Sequence, residues 1–201
     1  MKYFKKLIGE KCYLSPVSFE DVEKYTEWVN DMETGLYVLF ASSVYDLQKE
    51  QATLEYLTKH NTIMIIVDKD TNKPIGFCGL HNVNDVHRSA TLGISIGDKS
   101  YWGHGLGTEA TNLLLDFGFN ILNLNSISLE VIDFNKRAVK CYEKCGFKLI
   151  GKKRKSIFMA GSYHDLLLYD ILASEFKSPY IKEIYNKAIS KDSDTGKITI
   201  V

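Results

Sequence analysis

From Ala90 to Ile96 every second residue faces the same way on an extended chain, the alternation of a half-buried strand. This strand runs into Trp102-Gly103-His104-Gly105-Leu106-Gly107. From Thr108 the period changes: Ala110, Leu113, Leu114, Phe117 and Leu122 recur at helical spacing and predict a helix over 108–122. Ser126 to Phe134 alternates again, with Ile127, Leu129 and Val131 on one face and Ser128, Glu130 and Ile132 on the other. Asn135 to Phe147 then reads as a short helix with Asn135 as N-cap, an apolar face of Ala138, Val139 and Tyr142, and a stop at Gly146. The order is strand, glycine loop, helix, strand, helix, strand.

Upstream, KCYLSP opens as a strand, and Ser18 with Asp21 predicts the cap of a helix reaching about Asn30. Residues 31–45 read as loop or short helix, and 46–59 as a second helix. The runs TIMIIVD and PIGFCGLHNV are strands joined by a polar turn over 69–73. Downstream of residue 175 the pattern changes, dividing the chain into a domain over 1–175 and an extension over 176–201. In the extension, Ser178-Pro179 starts a helix carrying Ile181, Ile184, Tyr185 and Ala188, a polar turn follows over 192–196, and KITIV ends the chain. Three arrangements are open for it: packing on its own domain, exchange with a neighbouring subunit in a homodimer, or mobility.

The glycine loop carries the chemistry. The first turn of a helix has backbone N–H groups without intrahelical partners and the positive end of the helix dipole, so anions dock there. Glycines at 103, 105 and 107 clear side chains from those N–H groups. The loop is not a nucleotide triphosphatase P-loop, because Gly107 is followed by Thr108 and Glu109 rather than Lys and Ser or Thr. Its G-x-G-x-G spacing also departs from the dinucleotide G-x-G-x-x-G.

Composition narrows the classes. With 201 residues, 45% of them apolar, the chain can bury a sizeable core. Basic and acidic residues balance at 25 each, which argues against a nucleic-acid groove; Lys152 to Lys155 reads as a solvated strand end. No apolar run is long enough to span a bilayer, and the lysine-bearing N-terminus lacks the apolar stretch of a secretion signal, so a cytoplasmic protein is expected. The four cysteines fit that compartment. Cys12 and Cys78 fall in strands, Cys141 and Cys145 lie one helical turn apart, nothing completes a set of metal ligands, and all four read as reduced hydrophobes.

The ordered pair YWGHGLGTEA and NKRAVKCYEKCGF resembles the GNAT superfamily of acetyl-CoA-dependent N-acetyltransferases over about residues 8 to 175. Trp102, where relatives commonly carry Arg or Gln, resembles the RimJ/RimL-like branch that acetylates ribosomal-protein N-termini, as does the Gly161 to Asp165 turn before LLLYDIL. The resemblance implies a mixed α+β fold: a mostly antiparallel sheet, splayed at the cofactor site, with helices on both faces. It further implies that main-chain groups near Ile94, Ser95 and Ile96 bond the pantetheine arm of coenzyme A. Trp102, Gly103, His104, Gly105, Leu106, Gly107 and Thr108 would hold the pyrophosphate, while Asn135, Ala138 and Tyr142 approach the thiol. No metal is implied.

In this reading an amine attacks the thioester directly and Tyr142, matching the Tyr of the family's N-x-x-A-x-x-x-Y pattern, protonates the leaving thiolate. The Glu that many relatives carry as base is Thr91 here, which leaves His81 and Glu130 as candidates, His81 the one named as base. Three functions compete. Acetylation of a peptide or protein α-amine leads, because without that Glu a site suits an amine that is already partly neutral. Acetylation of a polyamine is second, weakened by Asn82 where a carboxylate is expected. A non-catalytic coenzyme-binding module is third, and Tyr142 argues against it.

Overall fold

The computed structural model describes residues 2–39, 41–60, 62–177 and 180–195. Its frame is one eight-stranded sheet: β1 (Leu7–Ile8), β2 (Cys12–Ser15), β3 (Thr62–Asp68), β4 (Pro74–Asn84), β5 (Ser89–Ile96), β6 (Ser126–Ile132), β7 (Lys148–Met159) and β8 (Ser162–Leu172), in spatial order β1-β2-β3-β4-β5-β6-β8-β7. Only β5 and β6 pair in parallel; every other neighbour is antiparallel. The helices are α1 (Val22–Asn30), α2 (Met32–Val38), α3 (Leu47–His60), α4 (Leu106–Asn120), α5 (Lys136–Lys144) and α6 (Ile181–Thr195).

The period of two in β2 and β3 explains the layering. Cys12, Leu14, Met64 and Ile66 point to one face, under α4, while Tyr13, Ile65 and Val67 point to the other, against Tyr25 and Trp28 of α1 and Leu54 of α3. A strand buried on both faces reads as a continuous apolar run, which is why TIMIIVD shows so little alternation. Helix α4 is the spine of the larger core: Ala110, Leu113, Leu114 and Leu115 are fully or almost fully buried.

Glu109, in the first turn of α4, holds the β1–β2 turn. Its carboxylate accepts from the backbone N–H groups of Glu10, Lys11 (2.9 Å) and Cys12 (3.1 Å), tying the β1–β2 turn to the start of the spine. The cap expected from Ser18 and Asp21 does not form. Neither side chain bonds the start of α1, and Asp21 instead accepts from Lys2 and from the Tyr3 hydroxyl. Asp46, by contrast, caps α3 through the N–H of Lys49 at 2.8 Å.

Residues 180 and 181 pack against α4. Buried Asp116 of α4 accepts from the N–H groups of Tyr180 (3.0 Å) and Ile181 (3.1 Å), and both residues pack on the larger core. Helix α6 then runs on to Thr195, so residues 192–195 are helical rather than the expected turn. The Ser178-Pro179 start and the KITIV end lie outside the described residues. No helix among the described residues is long and apolar enough to cross a membrane.

Candidate active site

Strands β5 and β6 pair only at their beginnings, Ser89 with Ser126, Ala90 with Ile127 and Thr91 with Ser128. Beyond Thr91 they diverge. Residues 92–96 keep their bonds to β4 on one side, and on the other they face a gap instead of a neighbouring strand. Backbone N–H and C=O groups exposed in such a gap are available to a ligand's amides. Ile94, Ser95 and Ile96 line it, although the Ile96 carbonyl already accepts from the Trp102 indole N–H at 2.7 Å.

The gap opens into a groove of about 500 Å³ between the β5–α4 loop and α5. Gly103 and Gly105 take left-handed conformations, φ +83° and +85°, and nothing lies within 4 Å of where a Cβ on Gly103 would stand. Gly105 is the N-cap of α4 and no side chain caps that helix, so the N–H groups of its first turn remain for a ligand. Opposite stand Lys136, Arg137, Lys140 and Lys144 on one face of α5. A cradle of free N–H groups facing four cations fits the phosphates of coenzyme A.

Of the residues expected at this cradle, Trp102, Gly103, Gly105, Gly107 and Thr108 line the groove. His104 does not: its side chain faces solvent and its carbonyl accepts from Lys11 Nζ at 3.1 Å. Leu106 buries its side chain in the core, leaving only its backbone to a ligand. Trp102 is the centre of a stack, with the Arg137 guanidinium 3.6 Å from its ring centroid and Tyr37 of α2 edge-on at 5.9 Å. This stack holds α2 over the groove, where Thr34 and Val38 join the lining.

A second cavity, of about 250 Å³, meets the groove at Val38, Ile94, Ser95, Asn135, Ala138 and Tyr142. Asn135 caps α5, its side chain accepting from Ala138 N–H at 3.1 Å, and so sets the helix that carries Tyr142. The Tyr142 ring packs edge-on against Phe147 at 5.9 Å, and burial raises its hydroxyl's pKa well above the usual value. His81 lines the far wall, and desolvation lowers its imidazole's pKa, which keeps it neutral at neutral pH. Glu130 also borders the cavity but is exposed and paired with Lys153 at 2.6 Å, a poorer position for a base.

Sequence reasoning missed Glu50. It lines this second cavity from α3 with only 4% of its surface exposed, it has no ion-pair partner among the described residues, and burial raises its pKa. Nothing in QKEQAT distinguishes it from a solvated helix position; only the packing of α3 against the sheet turns it inward. The α5 cations were legible in principle, since Lys136, Lys140 and Lys144 repeat every four residues beside the glycine loop.

Residues 11–148 match the model of the GNAT acetyltransferase domain. The chain belongs to the GNAT acetyltransferase family. Among its relatives is an uncharacterized N-acetyltransferase, p20, of Bacillus licheniformis, 27% identical over 85% of this chain and 97% of the relative. The spermidine N(1)-acetyltransferase of Vibrio cholerae is 36% identical over 55% of this chain and 64% of its own length. A crystal structure of the V. cholerae spermidine N-acetyltransferase, in complex with CoA and spermine, superposes with a TM-score of 0.76 at 27% identity, covering 83% of this chain and 98% of that one. The sheet described above is the GNAT fold, and the chain is an acetyl-CoA-dependent N-acetyltransferase acting on an amine.

Proposed function

We propose that this GNAT enzyme acetylates a primary amine of a small linear polyamine, with acetyl-CoA in the larger groove and the acceptor in the smaller cavity. Buried Glu50 carries this reading. A carboxylate without a cationic partner is costly to hold in an apolar cavity, and an ammonium group arriving beside it offsets that cost. The cavity's other walls, Tyr37, Tyr45, Leu54, Leu57 and Phe77, suit methylene chains. The spermidine acetyltransferases among the relatives point the same way.

The observation that had weighed against a polyamine loses its force. Asn82 lies at the irregular end of β4, exposed, and is not among the residues of the cavity, so its lack of charge says nothing about the acceptor. Trp102, on which the RimJ/RimL-like resemblance rests, lies on the groove side, in contact with Arg137 and Tyr37, and does not line the acceptor cavity. Among the residues near the acceptor, Thr91 is what favours a peptide α-amine; the Gly161 to Asp165 turn lies outside the cavity lining.

Acetyl-CoA supplies the activated acyl group as a thioester. The α4 N-terminus and α5 cations bind its phosphates, and the unpaired edge of β5 aligns its arm so that the reacting carbon lies near the junction of the two cavities. His81, neutral, accepts a proton from the ammonium or from the amine as it attacks. Tyr142, kept protonated by burial, donates a hydrogen bond and then its proton to the departing sulfur. Glu50 holds the acceptor's second charge.

The deciding experiment is a competition between spermidine and a short peptide with a free N-terminus, at saturating acetyl-CoA, with the acetyl group located by mass spectrometry. Spermidine should win in kcat/KM. Glu50→Gln should raise the KM for spermidine about tenfold, on the scale of a lost charge-assisted hydrogen bond, with coenzyme affinity unchanged. Preferential acetylation of the peptide, together with an indifferent Glu50→Gln, would overturn the polyamine reading.

A further inference from the structure

Cys141 has no part in the chemistry above, yet it forms part of the groove wall. It is half-buried, on the α5 face turned to the first turns of α4, with its Sγ 3.3 Å from the Thr108 hydroxyl. One helical turn on, the Cys145 Sγ lies 3.6 Å from the Thr108 carbonyl oxygen. Fully buried Thr111, the next residue of that α4 face, has a hydroxyl with no hydrogen-bond partner. Thr111 Oγ1 is a buried donor left over in a packed core, where such groups are scarce.

We propose that Cys141 is a site of reversible thiol–disulfide exchange with low-molecular-weight disulfides, and that the resulting adduct obstructs the coenzyme groove. The Cys141 thiolate attacks one sulfur of the disulfide. A new S–S bond forms at Sγ, the original S–S bond breaks, and the released thiolate takes a proton from water. Cys141 is oxidised, half of the reagent is reduced, and excess thiol reverses the step.

Three features support this chemistry at Cys141 and not elsewhere. The Cys145 thiol, the Thr108 hydroxyl, the Thr111 hydroxyl that has no other partner, and the Lys144 ammonium all favour the anion, Cys145 most, and they hold the Cys141 pKa below that of an ordinary thiol despite burial. Cys12 is buried in the core and Cys78 is buried in the wall of the smaller cavity, outside the groove lining, and burial pushes both thiols up. Cys145 is buried outside the groove lining with its Sγ against the Thr108 carbonyl oxygen, which accepts from its S–H, so it is poorly placed to act as a second nucleophile on the adduct, and the mixed disulfide persists.

The exchange itself is independent of what fills the groove, whereas the obstruction rests on the groove's being the coenzyme site. The test incubates the folded protein with glutathione disulfide at neutral pH, followed by intact mass and peptide mapping. One glutathionyl group on Cys141 is expected, removed by dithiothreitol and absent in Cys141→Ser. Acetyl-CoA at ten times its Kd should slow the modification about tenfold, and the adduct should bind coenzyme correspondingly more weakly. An adduct on another cysteine, a loss of two hydrogens without an adduct, or an unreactive Cys141 overturns the proposal. Calorimetry on the unmodified protein separates the two readings: tight coenzyme binding without protection refutes the obstruction. Absence of binding refutes the groove assignment, and mapping decides the exchange site in either case.

Discussion

In the proposed mechanism Tyr142 and His81, which both line the smaller cavity, have opposite protonation demands, and burial serves both. Desolvation disfavours the charged form of each, keeping the phenol protonated and the imidazole neutral. Tyr142→Phe keeps the ring against Phe147 and removes only the donor, so kcat should fall by about 10²-fold with coenzyme Kd unchanged. A loss within a few-fold would make Tyr142 a packing residue. For His81 the sign follows from its lowered pKa. As the proposed base it must be neutral, so kcat/KM should rise with pH through an inflection below the ordinary histidine value and then follow only the acceptor amine's own titration at higher pH. His81→Gln should abolish the acidic inflection and leave the alkaline limb; an inflection that survives would assign it to another group, Glu50 first.

Elements differ in how far their sequences betray them. The β5–α4–β6–α5 run was legible because each boundary carries a local cause: positive-φ glycines before α4, the Asn135 cap, and Gly146 at φ +95° after α5. Two apolar runs on either side of a polar turn likewise marked β3 and β4. What stayed hidden depends on contacts distant in sequence. Ser18 and Asp21 have the spacing of a cap, but Tyr3 and Lys2 claim the Asp21 carboxylate. The polar stretch 192–195 has the composition of a turn and continues a helix. Within the site, His104 follows the loop pattern yet faces outward, whereas Glu50 turns inward only once α3 docks and the Trp102–Arg137 stack forms only once α5 packs beside the loop. The β5–α4 junction also yields a prediction. Gly105→Val forces a β-branched residue to φ +85°, a strain of about 1–3 kcal/mol, and disturbs the cradle. Coenzyme affinity should drop at least about tenfold in a mutant whose circular dichroism stays native, tenfold being about 1.4 kcal/mol. An unaltered Kd would show that this loop does not hold the phosphates.

At the scale of the whole molecule, the parting of β5 from β6 makes the sheet two plates, β1–β5 and β6–β8, hydrogen-bonded to one another through three residue pairs. At that same end the Ser128 hydroxyl donates to the Ala90 carbonyl at 3.4 Å and the Asn125 and Ser126 N–H groups donate to the Arg88 carbonyl, and side-chain packing beneath α4 and α5 adds to these. A bound coenzyme lying in the gap would act as a splint, exchanging hydrogen bonds with the plate edge that has no strand beside it. Stability should therefore rise on binding by about 2.7 kcal/mol at one hundred times Kd, whatever the architecture. The splint adds a spatial signature. Amide hydrogen exchange should slow most at 92–96 and 129–135, the facing borders of the gap, and least in β1–β3. Equal slowing throughout would mean that the plates already open and close as one body. Unequal slowing would mean that, without its coenzyme, this enzyme breathes along a built-in fault line.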